Sequence, residues 1–320
     1  MIQTVNGVLE PDALTFCQCH EHLLLSKGVS WQIDPALCME DYEKSLLELI
    51  DYRAAGGSTI VEAQPIGCNR MTQELLQLSQ DSGVQIIAST GFHKCCFYPA
   101  AHWIHSYTWQ QIADLYIHEL TEGMYTDADT CTPSHHISAK AGIIKTALDK
   151  EFTPLYEKLF HAAAVAQLAT GAPLLIHVEK GSTPVELFFF LSNLGVPAAS
   201  MIFCHMDRSC PDLQQHKFLL EKGAYLEYDT IGRFKYHSDQ HEIQLMQQVL
   251  QWGFAQQLLF SLDTTALRLK HYTPEGVGLT YILQTFLPLL KGSGVSAESI
   301  DKISRQNCIS ALSWKPRTHK

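Results

Sequence analysis

"AGIIKTALDKEFTPLYEKLFHAAAVAQLATGAPLLIHVE", residues 141–179, carries a strand, a helix and a second strand in one pass. Its flanks, "AGIIKTA" (141–147) and "PLLIHVE" (173–179), are nearly continuous apolar runs. Parallel strands buried on both faces read this way; half-exposed hairpin strands alternate instead. Between the flanks, Thr153 followed by Pro154 and Glu157 reads as an N-cap with Pro at the first helical position, and Gly171 as a C-terminal cap.

The unit recurs in both directions. Strand-like runs are "ALTFCQC" (13–19), "STIVEA" (58–63), "VQIIAST" (84–90), "SMIFCH" (200–205), "AYLEYD" (224–229) and "QLLFSLD" (257–263). A helical pattern follows each of them, most ending in Gly shortly before the next strand. Eight strands alternating with helices predict an α/β fold of the closed (β/α)8 TIM-barrel type, one domain over residues 1–320. A doubly wound sheet is the alternative, weakened because no Gly-rich fingerprint follows the first strand. The pieces "SAESIDKI" and "RQNCISALSW" are expected to pack across the barrel.

Composition narrows the function. Hydrophobic residues make up 46% and charged residues 18%, which supports a large core and excludes a disordered chain. The net charge of -10, with a basic lean only in the tail "WKPRTHK", argues against nucleic acid as a partner. No apolar run is long enough to span a membrane, and "MIQTVNGVLEPDALTF" lacks an export pattern. The ten cysteines show no disulfide framework, so reduced thiols and a cytoplasmic location are expected.

A barrel of this kind keeps its chemistry at the C-terminal ends of its strands. The polar residues interrupting the runs there are His20 and His22, Lys145, His177, His205 and Asp263. That set suits two borderline metal ions such as Zn2+. Histidines two apart point to the same side of an extended strand, whereas in a helix they diverge by about 200°. "HEHLL" also has Leu24 where a metalloprotease helix needs its second histidine. A zinc site from Cys17, Cys19 and His20, or a hydrogen-bonded pair of core histidines, remains as an alternative. Lys145 is the oddity, because a lone buried ammonium is costly. Either CO2 converts it to an anionic carbamate able to bridge two cations, or it sits at the rim and reaches water or Glu62. Asp263 can serve as ligand and proton acceptor.

Together "CHEHLLL", "AGIIKTA", "LLIHVEKG", "IFCHMDRS" and "LLFSLDTT" resemble the phosphotriesterase-related branch of the amidohydrolase superfamily, from about residue 5 to residue 314. The resemblance implies a binuclear metal-dependent hydrolase. His20, His22 and Asp263 would hold the more buried ion, His177 and His205 the more exposed one, and carboxylated Lys145 would bridge them with a hydroxide. Asp263 and Lys145 are then the catalytic residues. Some relatives have Glu at the bridging position, where this chain keeps Lys; Cys19 stands where relatives more often carry a small or apolar residue.

The implied reaction is opening of a small lactone or cleavage of a carboxylic ester by that hydroxide. The alternatives are a phosphotriesterase or N-acyl amine amidohydrolase using the same centre, and a non-catalytic ligand-binding barrel. "HMDR" and "IGRFKY" are similar to relatives that open phosphorylated sugar lactones. In "GFHKCCFYP" (91–99) and "RFKYH" (233–237), His93, Lys94, Tyr98, Arg233, Lys235 and Tyr236 place cations and aromatics near the mouth, as an anionic substrate needs. Arg268, in "DTTALRLKHY", is a further candidate contact; ordinary solvated loops are the alternative for these stretches. The expected partner is a small molecule, with neither nucleic acid nor membrane, and a homodimer is left open.

Overall fold

The computed structural model describes residues 1–315, so most of the basic tail lies outside the described residues. A hairpin opens the chain, β1 (Ile2–Thr4) pairing antiparallel with β2 (Gly7–Leu9). Eight strands follow: β3 (Cys17–Glu21), β4 (Thr59–Glu62), β5 (Gln85–Gly91), β6 (Ile143–Leu148), β7 (Leu174–Val178), β8 (Met201–Cys204), β9 (Tyr225–Tyr228) and β10 (Leu258–Phe260). They lie side by side in chain order, each parallel to its neighbour. This is a nearly closed, distorted (β/α)8 barrel with helices around it. All eight expected runs form strands. The hairpin was not anticipated, because three-residue strands leave too short a pattern to read.

The helix between β6 and β7 shows how local chemistry sets the boundaries. It runs Pro154–Thr170; the Thr153 side chain accepts the Tyr156 N–H, Pro154 occupies the first turn, and Gly171 ends it at φ 82°. That left-handed conformation costs glycine nothing sterically.

Apolar side chains fill the lower barrel. Cys17, Cys19, Val61, Ile87, Ile143, Leu175, Ile202 and Leu259 meet there. Ile2 and Leu9 of the hairpin, with Cys308, Ala311 and Leu312 of the C-terminal helix, pack into the same cluster, so the terminal helix does pack on the barrel as expected. Emptying one such position, as Leu175→Ala would, costs about 2–5 kcal/mol. With the floor sealed by apolar groups, polar side chains are left to the upper end.

Two irregularities shape that end. The register between β3 and β4 shifts between Gln18 and Glu21. The extra residue changes the alternation, so Cys17 and Cys19 face the apolar floor while His20 and His22 face the site above it. The second irregularity is the seam between β10 and β3. Asp263 N–H donates to the His20 carbonyl at 3.1 Å. The Glu21 carboxylate accepts from Leu262 N–H at 2.8 Å, Ser261 Oγ at 2.8 Å and Thr264 N–H at 3.1 Å. Glu21 turns away from the cavity, as strand alternation requires, and its carboxyl oxygens join the last strand to the first. Burial raises its pKa to about 7, against the three hydrogen bonds it accepts. Among the described residues no helix is long and apolar enough to cross a membrane.

Candidate metal centre and active site

A cavity of about 410 Å³ opens above the strand ends, lined by His20, His22, His93, Lys94, His177, Glu179, His205, Arg208, Arg233, Tyr236 and Asp263, among others. Lys145 lies fully buried beneath it, its Nζ 2.9 Å from His20 Nε2. All six expected metal-competent side chains therefore converge, from β3 and the residue after it, β6, β7, the residue after β8 and the segment after β10.

Two donor clusters share one carboxylate. His20, His22 and Asp263 form one, and His205, Asp229 and Asp263 the other, with ligand atoms within 4.8 Å of one another in each. Asp263 Oδ1 stands 3.8 Å from His20 Nε2 and 3.7 Å from His22 Nε2. Among the described residues, His205 and Asp263 are two of the three non-glycine residues with positive φ, at 59° and 51°. Both strained positions sit at strand ends in the site, where surrounding structure can hold them. His177 is less tightly placed. Its ring centroid is 4.5 Å from that of His205, but its Nε2 faces Glu179 at 3.4 Å.

Buried carboxylates stand behind the histidines. His20 Nδ1 is 3.2 Å from Glu227, His205 Nδ1 is 2.7 Å from Asp229, and His22 Nδ1 is 3.5 Å from Glu62. Glu62 is itself held by the Leu23 N–H at 2.5 Å and the Gln64 N–H at 3.0 Å. For His20 and His205, a carboxylate accepting the Nδ1–H fixes the tautomer in which Nε2 carries the lone pair, the arrangement a metal-ligating histidine needs. The His22 contact to Glu62 falls outside hydrogen-bonding geometry. Burial lowers the pKa of His20, with Lys145 and His205 adding to the effect. His205 is likewise pushed down by burial, then by Arg208 and His177. Neutral imidazole is the form that binds a metal. The residues present thus fit a binuclear centre.

Asp263 has a second side to its environment. Its Oδ2 accepts from Arg208 Nη2 at 2.8 Å and from Arg233 Nη1. Burial pushes this carboxyl up, but Arg208 and Arg233, with His205 and His20, outweigh it and hold it well below the usual range. Arg208 also reaches Asp229 Oδ1 at 3.4 Å. Burial alone acts first on Lys145 and lowers its pKa, which favours the neutral amine that can react with CO2.

The expected substrate contacts divide. His93, Lys94, Arg233 and Tyr236 line the cavity, and Lys94 Nζ holds Glu179 at 2.7 Å. Tyr98 is buried behind them, its hydroxyl accepting the His93 N–H at 2.8 Å. Lys235 is exposed, its Nζ 5.0 Å from the Tyr236 ring. Arg268 is buried, donating to the Ile231 carbonyl at 2.6 Å and to the Leu262 carbonyl. Its guanidinium is thus spent on the chain, and the loop charge expected at the mouth belongs instead to the framework. Sequence reasoning missed Glu227, Asp229, Arg208 and Glu179. The signal was present in "AYLEYD", where two acids two residues apart interrupt a buried strand as His20 and His22 do in β3.

A parallel barrel with histidines, a shared aspartate and a buried lysine at its strand ends is the architecture of a metal-dependent hydrolase of the amidohydrolase superfamily. The chain belongs to the phosphotriesterase family, whose profile matches residues 1–312. It is 28% identical to a phospho-furanose lactonase of Mycoplasmopsis agalactiae, over 99% of this chain and 93% of that protein. It is also 28% identical to an N-acetyltaurine hydrolase of Danio rerio, over 98% of each chain. An amidohydrolase from Mycoplasma synoviae superposes with a TM-score of 0.94 at 28% identity, covering 99% of this chain and 93% of that one. This chain is an enzyme of that metal-dependent hydrolase class.

Proposed function

We propose that residues 1–320 work as one hydrolase domain that opens a small lactone or cleaves a carboxylic ester at a binuclear centre. The observation that carries this reading is the sharing of Asp263 between two donor clusters, one built on His20 and His22 and the other on His205. His20, His22 and Asp263 would hold one ion and His177 and His205 the second, with carboxylated Lys145 between them. Nitrogen and oxygen donors of this kind suit zinc. Bound there, the two ions would polarise the substrate carbonyl and make water acidic enough to attack near neutral pH.

The chain's own residues do the rest. Asp263 takes the proton released on attack and passes it toward the leaving oxygen. Glu227 and Asp229 hold the His20 and His205 imidazoles in the ligating tautomer. Arg208 and Arg233 fix the Asp263 carboxylate from its other oxygen. Lys94, Arg233 and His93 face the cavity and would orient an anionic substituent on the substrate, with Tyr236 closing the apolar side.

The likeness to the phospho-furanose lactonase supports a lactone bearing an anionic group. Cations at the mouth also suit the amide of an anionic amine, the kind of substrate named for the Danio rerio relative, so amide hydrolysis is the second reading. A cytoplasmic enzyme with reduced thiols fits the ten unpaired cysteines. The test is a hydrolysis panel on protein loaded with zinc and bicarbonate: sugar lactones, phosphorylated lactones, N-acyl amines and organophosphates. A kcat/KM for a lactone at least tenfold above every other class supports the proposal. Preference for an N-acyl amine or an organophosphate overturns it.

A further inference from the structure

Beside the main centre, on the far side of the turn that follows His205, three further donors converge. They are Asp207 on the turn after β8, His237 at the end of the 233–237 loop, and Glu242 in the first turn of the helix Asp239–Gln251. Their ligand atoms lie within 4.8 Å of one another. His237 Nε2 is 3.3 Å from Glu242 Oε2 and 3.8 Å from Asp207 Oδ2. Donors about 2.0–2.1 Å from a tetrahedral ion sit roughly 3.3–3.4 Å apart, so the cluster is close to ligating spacing.

The hydrogen bonding around it is incomplete. Glu242 is fully buried, and neither of its carboxylate oxygens meets a donor in hydrogen-bonding geometry; His237 Nε2 is likewise without a hydrogen bond. The other nitrogen of the ring is committed, because His237 Nδ1 faces the Ser238 carbonyl at 3.2 Å. A carbonyl can only accept, so Nδ1 carries the proton and the neutral ring presents a lone pair at Nε2. That lone pair points at carboxyl oxygens, which burial and mutual repulsion push toward the protonated form, so either a shared proton or a cation must lie between them. Nearby cations are engaged elsewhere: Arg208 reaches Asp263 at 2.8 Å and Asp229 at 3.4 Å. Asp239 adds a further buried carboxylate to the region, occupied by the Gly232 N–H and the Tyr281 hydroxyl.

We propose that Asp207, His237 and Glu242 form a separate site for one divalent transition-metal ion, which ties the 233–237 loop to the turn after β8. One imidazole and two carboxylates are donors such ions accept, with water completing the shell. The His237 side chain keeps 13% of its surface exposed while its Nε2, Asp207 and Glu242 are buried, so the ring lies between solvent and the two carboxyls. Its consequence is positional. The loop carries Arg233 and Tyr236 to the cavity, and fastening His237 fixes the end of that loop.

The test counts ions as a difference, so it stands or falls independently of the number held at the main centre. Wild type, Glu242→Gln and His237→Ala are stripped with chelator, loaded with excess zinc and bicarbonate, and desalted. Zinc per chain is then measured, with circular dichroism and thermal unfolding to show that each is folded. Wild type is expected to retain about one zinc per chain more than either variant. Zinc should also slow tryptic cleavage at exposed Lys235 in wild type and not in the variants. Equal zinc in all three folded proteins, with no zinc effect on cleavage, overturns the proposal and leaves the cluster as a proton-sharing carboxyl pair. Should Glu242→Gln not fold, His237→Ala gives the same comparison alone.

Discussion

Lys145 Nζ lies 2.9 Å from Nε2 of His20, reaching across the barrel from β6 to β3. Both groups are buried, and among the described residues no carboxylate comes within 4 Å of the amine. An ammonium there would face an imidazole with no carboxylate in direct contact, and burial outweighs the more distant Asp263, Glu227 and Asp229, whereas a carbamate would be an anion beside metal ligands. Lys145→Ala should therefore lose most activity and much of the bound metal. Bicarbonate with a short carboxylic acid should restore part of both. Wild-type rate and metal content in Lys145→Ala would make the lysine structural, and wild-type protein prepared in labelled bicarbonate should show a carbamate carbon resonance that the variant lacks.

Metal content is the second expectation. Purified protein supplied with zinc and bicarbonate should hold at least two divalent ions per chain by elemental analysis. The donors supplied by His20, His22, Lys145, His177, His205 and Asp263 exceed what one tetrahedral ion takes. Chelation should abolish hydrolysis and lower the midpoint of thermal unfolding, because an ion bound only by the folded state stabilises it. At most one ion per chain after supplementation would end the binuclear reading.

A third expectation concerns the support beneath the ligands. Asp229 accepts both the backbone N–H of His205, at 2.9 Å, and its Nδ1–H, at 2.7 Å. Asp229→Asn keeps the shape but weakens acceptance at one oxygen and lets the ring turn. Metal affinity or kcat should fall about 10- to 100-fold, the scale for partners of metal-binding histidines. A variant within twofold of wild type in both would show that backbone geometry alone, with His205 at φ 59°, places the ring.

Much of this was legible in the sequence, for a physical reason. Strands buried on both faces read as apolar runs, so a single polar residue such as Lys145 or His177 stands out against its neighbours. Glu21 was harder. Alternation correctly turned it from the cavity, but its use at the seam depends on β10 arriving beside β3, a contact about 240 residues away in the chain that local pattern does not encode. Cys19 and His20 face different layers because of the register shift in β3, which has no signature in "CQCHEH". Arg268 failed as a mouth residue because a charged side chain in a loop reads as solvated, while here two backbone carbonyls take it inward.

Glu21 gives a fourth expectation. Glu21→Ala would leave the Leu262 and Thr264 N–H groups and the Ser261 hydroxyl without their acceptor in a buried seam. Each lost partner costs about 1–3 kcal/mol, so destabilisation of roughly 3 kcal/mol or more is expected. Glu21→Gln retains one acceptor oxygen and should lose less. Chemical denaturation at fixed zinc would check the order. If Glu21→Ala unfolds at the wild-type midpoint, the seam does not depend on this carboxylate.

The last expectation concerns Asp263, whose two oxygens face different partners. Oδ1 is turned to the histidines at 3.7 and 3.8 Å, and Oδ2 to Arg208 and Arg233. Asp263→Asn keeps the size, removes the charge and takes away nearly all basicity. As ligand and proton acceptor the residue should matter most for the chemical step, with kcat falling by roughly 10²-fold or more. The two arginines complicate the reading, because a carboxylate they hold well below its usual range is a weak base. A ligand defect and a base defect therefore have to be separated. Metal occupancy must be verified in the variant, and Arg208→Gln supplies the contrast: it leaves the carboxylate in place but frees it from one guanidinium. If Asp263 carries the proton, Arg208→Gln should shift the acidic limb of the rate–pH profile upward while metal content holds. That limb reports the centre as a coupled whole rather than one group, so the direction of its movement is what counts. A fully metallated Asp263→Asn enzyme working within about threefold of wild type would remove the shuttle role and leave Asp263 as a ligand alone.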